Sequence, residues 1–306
     1  MPSSFTHRHV AVRTHLKRAW RQLPFVKHRQ IYSVVFAPSG DSGGVKSLYT
    51  LSDWLRRLGR SAIVPLNGND LVSWFTHEGR IFDDGYLPDV VVYPEVFQPR
   101  LAARYFHICF ALGHFKPIEP HADLVVVKTP EMLAWVKQQQ PQLPVKVIPA
   151  SIARSIFEYD GRPKKEIICY MTRPHKSPET ATRLRARYGD KVVEIVGKTE
   201  TEVAEILKSA KVFVWRGCEE EGAQRPPREA LVAGCVVVGL AKDLCAAREC
   251  DFGVRCRDEE ELLVQAGAAL QMPIPSVAER AIIRDSEDEA RDWCALMKTL
   301  NLRPRR

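Results

Sequence analysis

The stretch Glu219-Glu220-Glu221-Gly222-Ala223-Gln224-Arg225-Pro226-Pro227-Arg228-Glu229-Ala230-Leu231-Val232-Ala233-Gly234-Cys235-Val236-Val237-Val238-Gly239 sets Glu221 and Glu229 between two strand-like runs. Residues 212–215 read as a buried strand, and Glu221 falls on the loop that leaves it. Pro226 and Pro227 then open a helix that carries Glu229 in its first turn, where proline is tolerated. A helix N-terminus offers unpaired N–H groups and a positive dipole end, which suits a diphosphate in the crevice beyond the strands. Gly234 stops the helix before a strand at 236–239. The plainer reading is an ordinary strand, loop and helix with two exposed acids.

Glu221 to Gly239 is similar to the E-x7-E signature of GT-B glycosyltransferases of the family 4 type. The resemblance implies that Glu221 lies beside the donor sugar, with Gly222 at the donor, and that Glu229 holds the ribose hydroxyls of the nucleotide. The chain departs from the family at Gln224, where a glycine is usual, and at Ala223 and Arg225, where bulky apolar residues are usual. A side chain in place of that glycine alters the turn at which the backbone approaches the donor.

Outward from this stretch, strands and helices alternate. Residues 31–37 form a first buried strand that runs into Pro38-Ser39-Gly40-Asp41-Ser42-Gly43-Gly44-Val45-Lys46, followed by a helix marked by Val45, Leu48, Leu51, Leu55 and Leu58. A strand, a glycine-rich turn and a helix make the phosphate-facing half of a Rossmann-like unit, although such turns also serve plain steric needs. The turn resembles the GGVK element of the same family, which implies that Gly43 and Gly44 let the backbone approach the donor diphosphate. Further strands are expected at 61–65, 89–93, 107–111, 124–127 and 145–148, with helices at 98–105 and 130–139. A polar, turn-rich stretch at 149–165 reads as a linker, preceding a strand at 166–171.

The second half repeats the plan, with helices at 178–188, 201–210, 227–233 and 259–271, a strand at 192–196, and a last helix from about 276 to 300. The expected fold class is therefore α/β with two facing Rossmann-like domains, each a parallel sheet, in the GT-B architecture. Residues 31–150 would form the acceptor-side domain and 166–306 the donor domain, the last helix crossing back onto the first. The resemblance is loose over most of the chain and good over about 166–240.

After the strand at 166–171 come Thr172-Arg173-Pro174-His175-Lys176, which resemble the family's GRxxxxKG or MPRK element with compressed spacing and Thr172 in place of glycine. The resemblance implies that Arg173 and Lys176 neutralise the donor diphosphate and stabilise the departing nucleoside diphosphate by fixed positive charge. No Asp-x-Asp occurs in the sequence, so a mechanism without a metal is expected, and no cofactor beyond the nucleotide-sugar co-substrate. Retention of anomeric configuration is implied by resemblance alone. On the acceptor side Glu95, His114 and His121 are candidates, of which His114 follows the strand at 107–111; a lone histidine is more often structural.

The 306 residues carry 45 basic and 37 acidic side chains, a net charge of +8. Residues 1–30 hold Arg8, Arg13, Lys17, Arg18, Arg21, Lys27 and Arg29 and no acid; setting those seven aside leaves 38 basic against 37 acidic. The basicity thus belongs to the N-terminal segment, and no nucleic-acid-binding motif accompanies it. Val12, Leu16, Ala19, Trp20 and Leu23 form an apolar stripe opposite the cations, an amphipathic helix that either lies on an anionic membrane surface through residues 8–29 or packs on its own domain or a partner. Eight cysteines without CxxC spacing argue against zinc and a disulfide framework. With no bilayer-spanning run and no cleavable leader, a cytoplasmic protein is expected, peripheral at the inner membrane face if the helix binds lipid.

These readings converge on a transferase that moves a sugar from a nucleotide sugar to a glycan or lipid-linked glycan in cell-surface polysaccharide formation. The alternative is a noncatalytic subunit of the same fold that binds a nucleotide sugar or a partner transferase.

Overall fold

The computed structural model describes residues 30–40, 42–66, 68, 70–83, 85–113, 117–118, 121–171, 178–217, 224–244 and 252–300. The amphipathic segment at 8–29 lies outside them.

The apolar runs of the first half form a six-stranded parallel sheet of order β2-β1-β3-β4-β5-β6. Its strands are β1 Ile31–Ala37, β2 Gly59–Pro65, β3 Val90–Pro94, β4 Phe106–Ala111, β5 Leu124–Val127 and β6 Val145–Val147. Its strands carry apolar residues on successive positions because both faces are covered. On one face Val35, Val92, Phe110 and Val126 pack against helix α1, Gly43–Arg56. On the other, Val34, Val91, Cys109 and Val125 pack against Met132 and Val136 of α2, Pro130–Gln139.

The second sheet, of order β11-β10-β9-β7-β8, is also parallel. It comprises β7 Lys165–Met171, β8 Val192–Ile195, β9 Ala210–Trp215, β10 Val236–Leu240 and β11 Val254–Cys256. The helices are α3 Arg154–Phe157, α4 Pro178–Tyr188, α5 Glu200–Ser209, α6 Arg225–Val232, α7 Ala241–Leu244, α8 Glu259–Ala268, α9 Val277–Ala281 and α10 Ser286–Thr299. Cys169, Phe213, Trp215 and Val237 cover one face with α5 and α6; Ile168, Val212, Val214 and Val238 cover the other with Leu184 of α4 and Leu262 of α8.

Three local expectations differ from the structure. Residues 98–105 form no helix: Arg104 N–H donates to the Pro88 carbonyl (2.8 Å) and Tyr105 N–H to that of Asp89 (3.0 Å), so tertiary pairing takes donors that a helix would use internally. The last helix is two, because Asp285 is extended (φ −77°, ψ 151°) and caps α10 in a reciprocal capping box with Asp288. The stretch at 149–165 is packed, with Ile152 and Phe157 buried, and Ile152 exchanges backbone hydrogen bonds with Arg284 and Ser286 (both 3.0 Å). From that pairing α10 runs onto the first sheet, where the buried Trp293 meets Phe110 edge-on at 5.0 Å between ring centroids.

Candidate functional site

In each sheet the chain reverses its direction of strand addition once, between β1 and β3 and between β7 and β9. Open parallel sheets bind ligands at such switch points, beyond the carboxyl ends of the strands. The chain leaving β1 enters α1 through Ser42, whose hydroxyl accepts the Val45 N–H at 3.3 Å, while the Ser42 carbonyl accepts the Lys46 N–H at 3.1 Å. Gly43 and Gly44 are the first residues of α1, so their N–H groups precede the first intrahelical bond. A Cβ on Gly43 would lie 3.1 Å from Cδ of Arg225, and one on Gly44 would touch only Leu112, at 3.4 Å, and the Ser42 hydroxyl, at 3.7 Å. Glycine at 43 thus answers a close approach from the second sheet's side of the molecule.

That approach comes from α6, which begins at Arg225, one residue before its prolines. Pro226 and Pro227 therefore occupy positions whose N–H groups would have been left unpaired at the helix start, and neither has one. The dipole end expected from the sequence is present, with fewer donors than a helix start ordinarily offers. Gln224 caps this helix without a side-chain capping bond. Its Oε1 instead accepts the indole N–H of the buried Trp215 at 2.5 Å, and it lies so close over Gly217 that a Cβ there would sit 2.7 Å from its Nε2. The Gln224 side chain is thus folded back onto the end of β9.

Glu229 is buried one turn into α6, and Arg225 Nε donates to its Oε1 at 3.4 Å. Opposite, on α1, the Lys46 ammonium contacts the Glu200 carboxylate at the start of α5 and lies over the rings of Phe75 (5.9 Å) and Phe157 (5.5 Å). Burial pushes Lys46 down to about 7; Arg225 adds to this and Glu229 opposes it. Behind them the fully buried Lys128 pairs with Glu289 of α10, which also accepts the Ser151 hydroxyl at 2.6 Å. Burial lowers the Lys128 pKa, and Glu289 works against that. Arg228, also buried, donates to the Ala150 carbonyl at 3.2 Å.

Of the residues singled out in the sequence, Gly43 and Gly44 on one side and Glu229 on the other are thus brought to one crevice. Glu221, Gly222, Arg173, Lys176 and His114 lie outside the described residues. Glu95 is buried at the end of β3, where its carboxylate accepts the N–H groups of Leu112 (3.0 Å) and Gly113 (2.6 Å) and ties two strand ends together. Burial raises its pKa and those donors oppose the shift. His121 is exposed. Sequence reasoning did not single out Lys46, Glu200 or Arg225 as a group, since their meeting depends on how α1, α5 and α6 converge; only the lysine of the GGVK element hinted at it. Among the described residues no three His, Cys, Asp or Glu side chains are grouped to hold a metal, and no helix is long and apolar enough to cross a membrane.

No protein-family model matches the sequence, and no curated protein sequence matches it. Solved structures do. The chain is similar to a sucrose-phosphate synthase from Thermosynechococcus elongatus, with 14% identity and a TM-score of 0.62 over 89% of this chain and 99% of that one. It is also similar to the Anabaena protein HepE in complex with UDP-glucose, with 12% identity and a TM-score of 0.59 over 88% of this chain and 100% of that one. The chain has the GT-B fold. At such identities the likeness is one of fold. A UDP-GlcNAc 2-epimerase from Methanocaldococcus jannaschii is similar as well, with 11% identity and a TM-score of 0.51 over 88% of this chain and 100% of that one. The GT-B fold therefore does not by itself distinguish transfer from epimerisation.

Proposed function

We propose that this chain is a glycosyltransferase that moves a sugar from a nucleotide-sugar donor to a glycan or lipid-linked glycan, retaining anomeric configuration and using no metal, in cell-surface polysaccharide formation. The observation that carries this reading is the meeting of the Gly43-Gly44 helix start with Arg225 and Glu229 of α6 across the crevice between two parallel sheets. Glu229 would hold the ribose, and the N–H groups of Gly43 and Gly44 would face the diphosphate. By resemblance Arg173 and Lys176 stabilise the departing diphosphate and Glu221 lies beside the sugar, while His114 is the candidate on the acceptor side. Attack on the anomeric carbon breaks its bond to the diphosphate oxygen, so positive charge fixed there lowers the barrier most as that oxygen becomes anionic. A cytoplasmic location, with residues 8–29 against an anionic membrane surface, would bring the site to a lipid-linked acceptor.

The second reading is a noncatalytic subunit of the same fold. The inward-folded Gln224 and the Arg225–Glu229 pair, which together occupy the start of α6, favour it. The two readings separate on turnover. UDP-glucose is the first donor to try, because a similar structure holds it; UDP-GlcNAc, GDP-mannose and their relatives follow, each without added metal. Release of the nucleoside diphosphate from one donor, abolished in Glu221→Gln while nucleotide binding persists, supports the transferase. Binding with no release in the presence of lipid-linked or free glycan acceptors overturns it in favour of the noncatalytic subunit.

A further inference from the structure

Arg225 spans the crevice. Its Cδ lies 3.1 Å from the place where a Gly43 Cβ would be, so the side chain reaches from the start of α6 to the start of α1. Only 13% of it is exposed, and among the described residues its polar contact is the one to Glu229 through Nε, at 3.4 Å. Among the described residues both terminal amines of the guanidinium thus keep their N–H donors unspent, beside two helix N-termini. A guanidinium presents its donors as a planar fork that matches phosphate oxygens two at a time.

The neighbouring backbone makes that fork the more significant. Pro226 and Pro227 remove two N–H groups from the first turn of α6, so an anion at this helix end meets fewer backbone donors there than usual and gains most from donors on a side chain or on α1. Charge points the same way. Arg225 bears electrostatically on Lys46 and Lys128, each of which already has its own carboxylate, Glu200 and Glu289. Glu229 is the acid that balances Arg225, and it is the same acid that the donor-site reading assigns to the ribose. A carboxylate turned toward two hydroxyls leaves the guanidinium without its counter-ion in a buried place, which is costly unless another anion arrives.

We propose that Arg225 is a diphosphate-binding residue of the donor site, held on Glu229 when the site is empty and transferred to the donor's phosphates when Glu229 takes the ribose. This rests on the donor-site reading above. The exchange makes nucleotide binding a swap of partners: one ion pair opens and two ligand contacts form. It assigns to an arginine, standing where the motif that the sequence resembles has an apolar residue, the anion binding that the prolines take from the α6 backbone. It also explains why glycine is needed at 43, since the side chain must pass within contact distance of the α1 start.

The test compares each nucleoside diphosphate with its own nucleoside. UDP, GDP, ADP and TDP, and uridine, guanosine, adenosine and thymidine, are titrated calorimetrically into the full chain, wild type and Arg225→Leu, without metal. Arg225→Leu is expected to lower affinity for the preferred diphosphate by about 10- to 100-fold, the cost of a charged hydrogen-bond partner. Affinity for the matching nucleoside should stay the same or rise, since Glu229 no longer has to leave the arginine. Arg225→Lys should restore part of the loss. Loss of diphosphate and nucleoside binding in equal proportion, or of neither, overturns the proposal and makes Arg225 a structural partner of Glu229, with the donor site intact in the wild type. Binding of none of the eight ligands by the wild type overturns the donor-site reading and this inference with it. Should Arg225→Leu not fold, Arg225→Gln carries the same comparison.

Discussion

Gln224 illustrates how a single residue is reconciled with its place. Indole nitrogen only donates, so the atom facing Trp215 must be the carboxamide oxygen, and the amide nitrogen lies over Gly217. Replacing Gln224 by glycine, as in the motif it resembles, removes an acceptor of a buried N–H and adds backbone freedom at a helix cap. Gln224→Gly should therefore cost roughly 1–3 kcal/mol in chemical denaturation; an unchanged midpoint and slope would show that the bond contributes nothing. At this scale the positions of Gly43 and Gly44 at one helix start and of Glu229 in the first turns of another could be read from sequence, because a turn and a helix start have local signatures. Arg225 was legible only as a departure, because a partner across the crevice has no local signature. The pairing of Lys46 with Glu200, 154 positions apart, was equally invisible.

Elements are fixed to one another here by pairs that join distant parts of the chain. The buried Lys128, just after β5, is tied to Glu289 on α10. Lys128→Met strands a buried carboxylate and should cost about 3–5 kcal/mol, whereas adding Glu289→Leu should recover most of it. Denaturation of the two variants checks this; a double variant no more stable than the single would show that the acid was not stranded. At the surface Arg57, which follows α1, forks Glu287 of α10 with two hydrogen bonds of 2.7 Å and holds its carboxyl below the ordinary value of 4.5. A depressed folded pKa gives stability that is present above 4.5 and is lost as pH falls through the lower folded value. Both side chains are about half exposed, so Arg57→Ala should cost only about 0.2–1 kcal/mol at pH 7. The gap to wild type should close on acidification; a gap that persists at pH 2 contradicts the pairing. Most strands and several helices were legible from apolar periodicity. The break before α10 was legible in principle, in the Asp285-Ser286-Glu287-Asp288 capping pattern, and residues 98–105 were not, because their helical periodicity yields to backbone pairing with Pro88 and Asp89.

Over the whole molecule, two parallel sheets present their carboxyl ends to a shared crevice, and the chain returns from the second to complete the first. Trp293 on α10 is fully buried in the core of the first sheet. Trp293→Ala should therefore destabilise that core by about 3–5 kcal/mol, although the residue lies far beyond the first sheet in sequence. A loss under 1 kcal/mol in urea denaturation would contradict the packing. The two-sheet plan could be read from the alternation of strands and helices, since parallel strands buried on both faces announce themselves as continuous apolar runs. The crevice chemistry could be read only in part, because half of it arises where α1 and α6 meet.

The most direct measurement of the central claim is calorimetric titration of wild type and Glu229→Ala with UDP, GDP, ADP, CMP and TDP, without metal. The donor-site account predicts that at least one nucleotide binds the wild type and that Glu229→Ala weakens it by roughly 1–3 kcal/mol, about 5- to 150-fold. Equal affinity in the two proteins, or no binding to either, contradicts it.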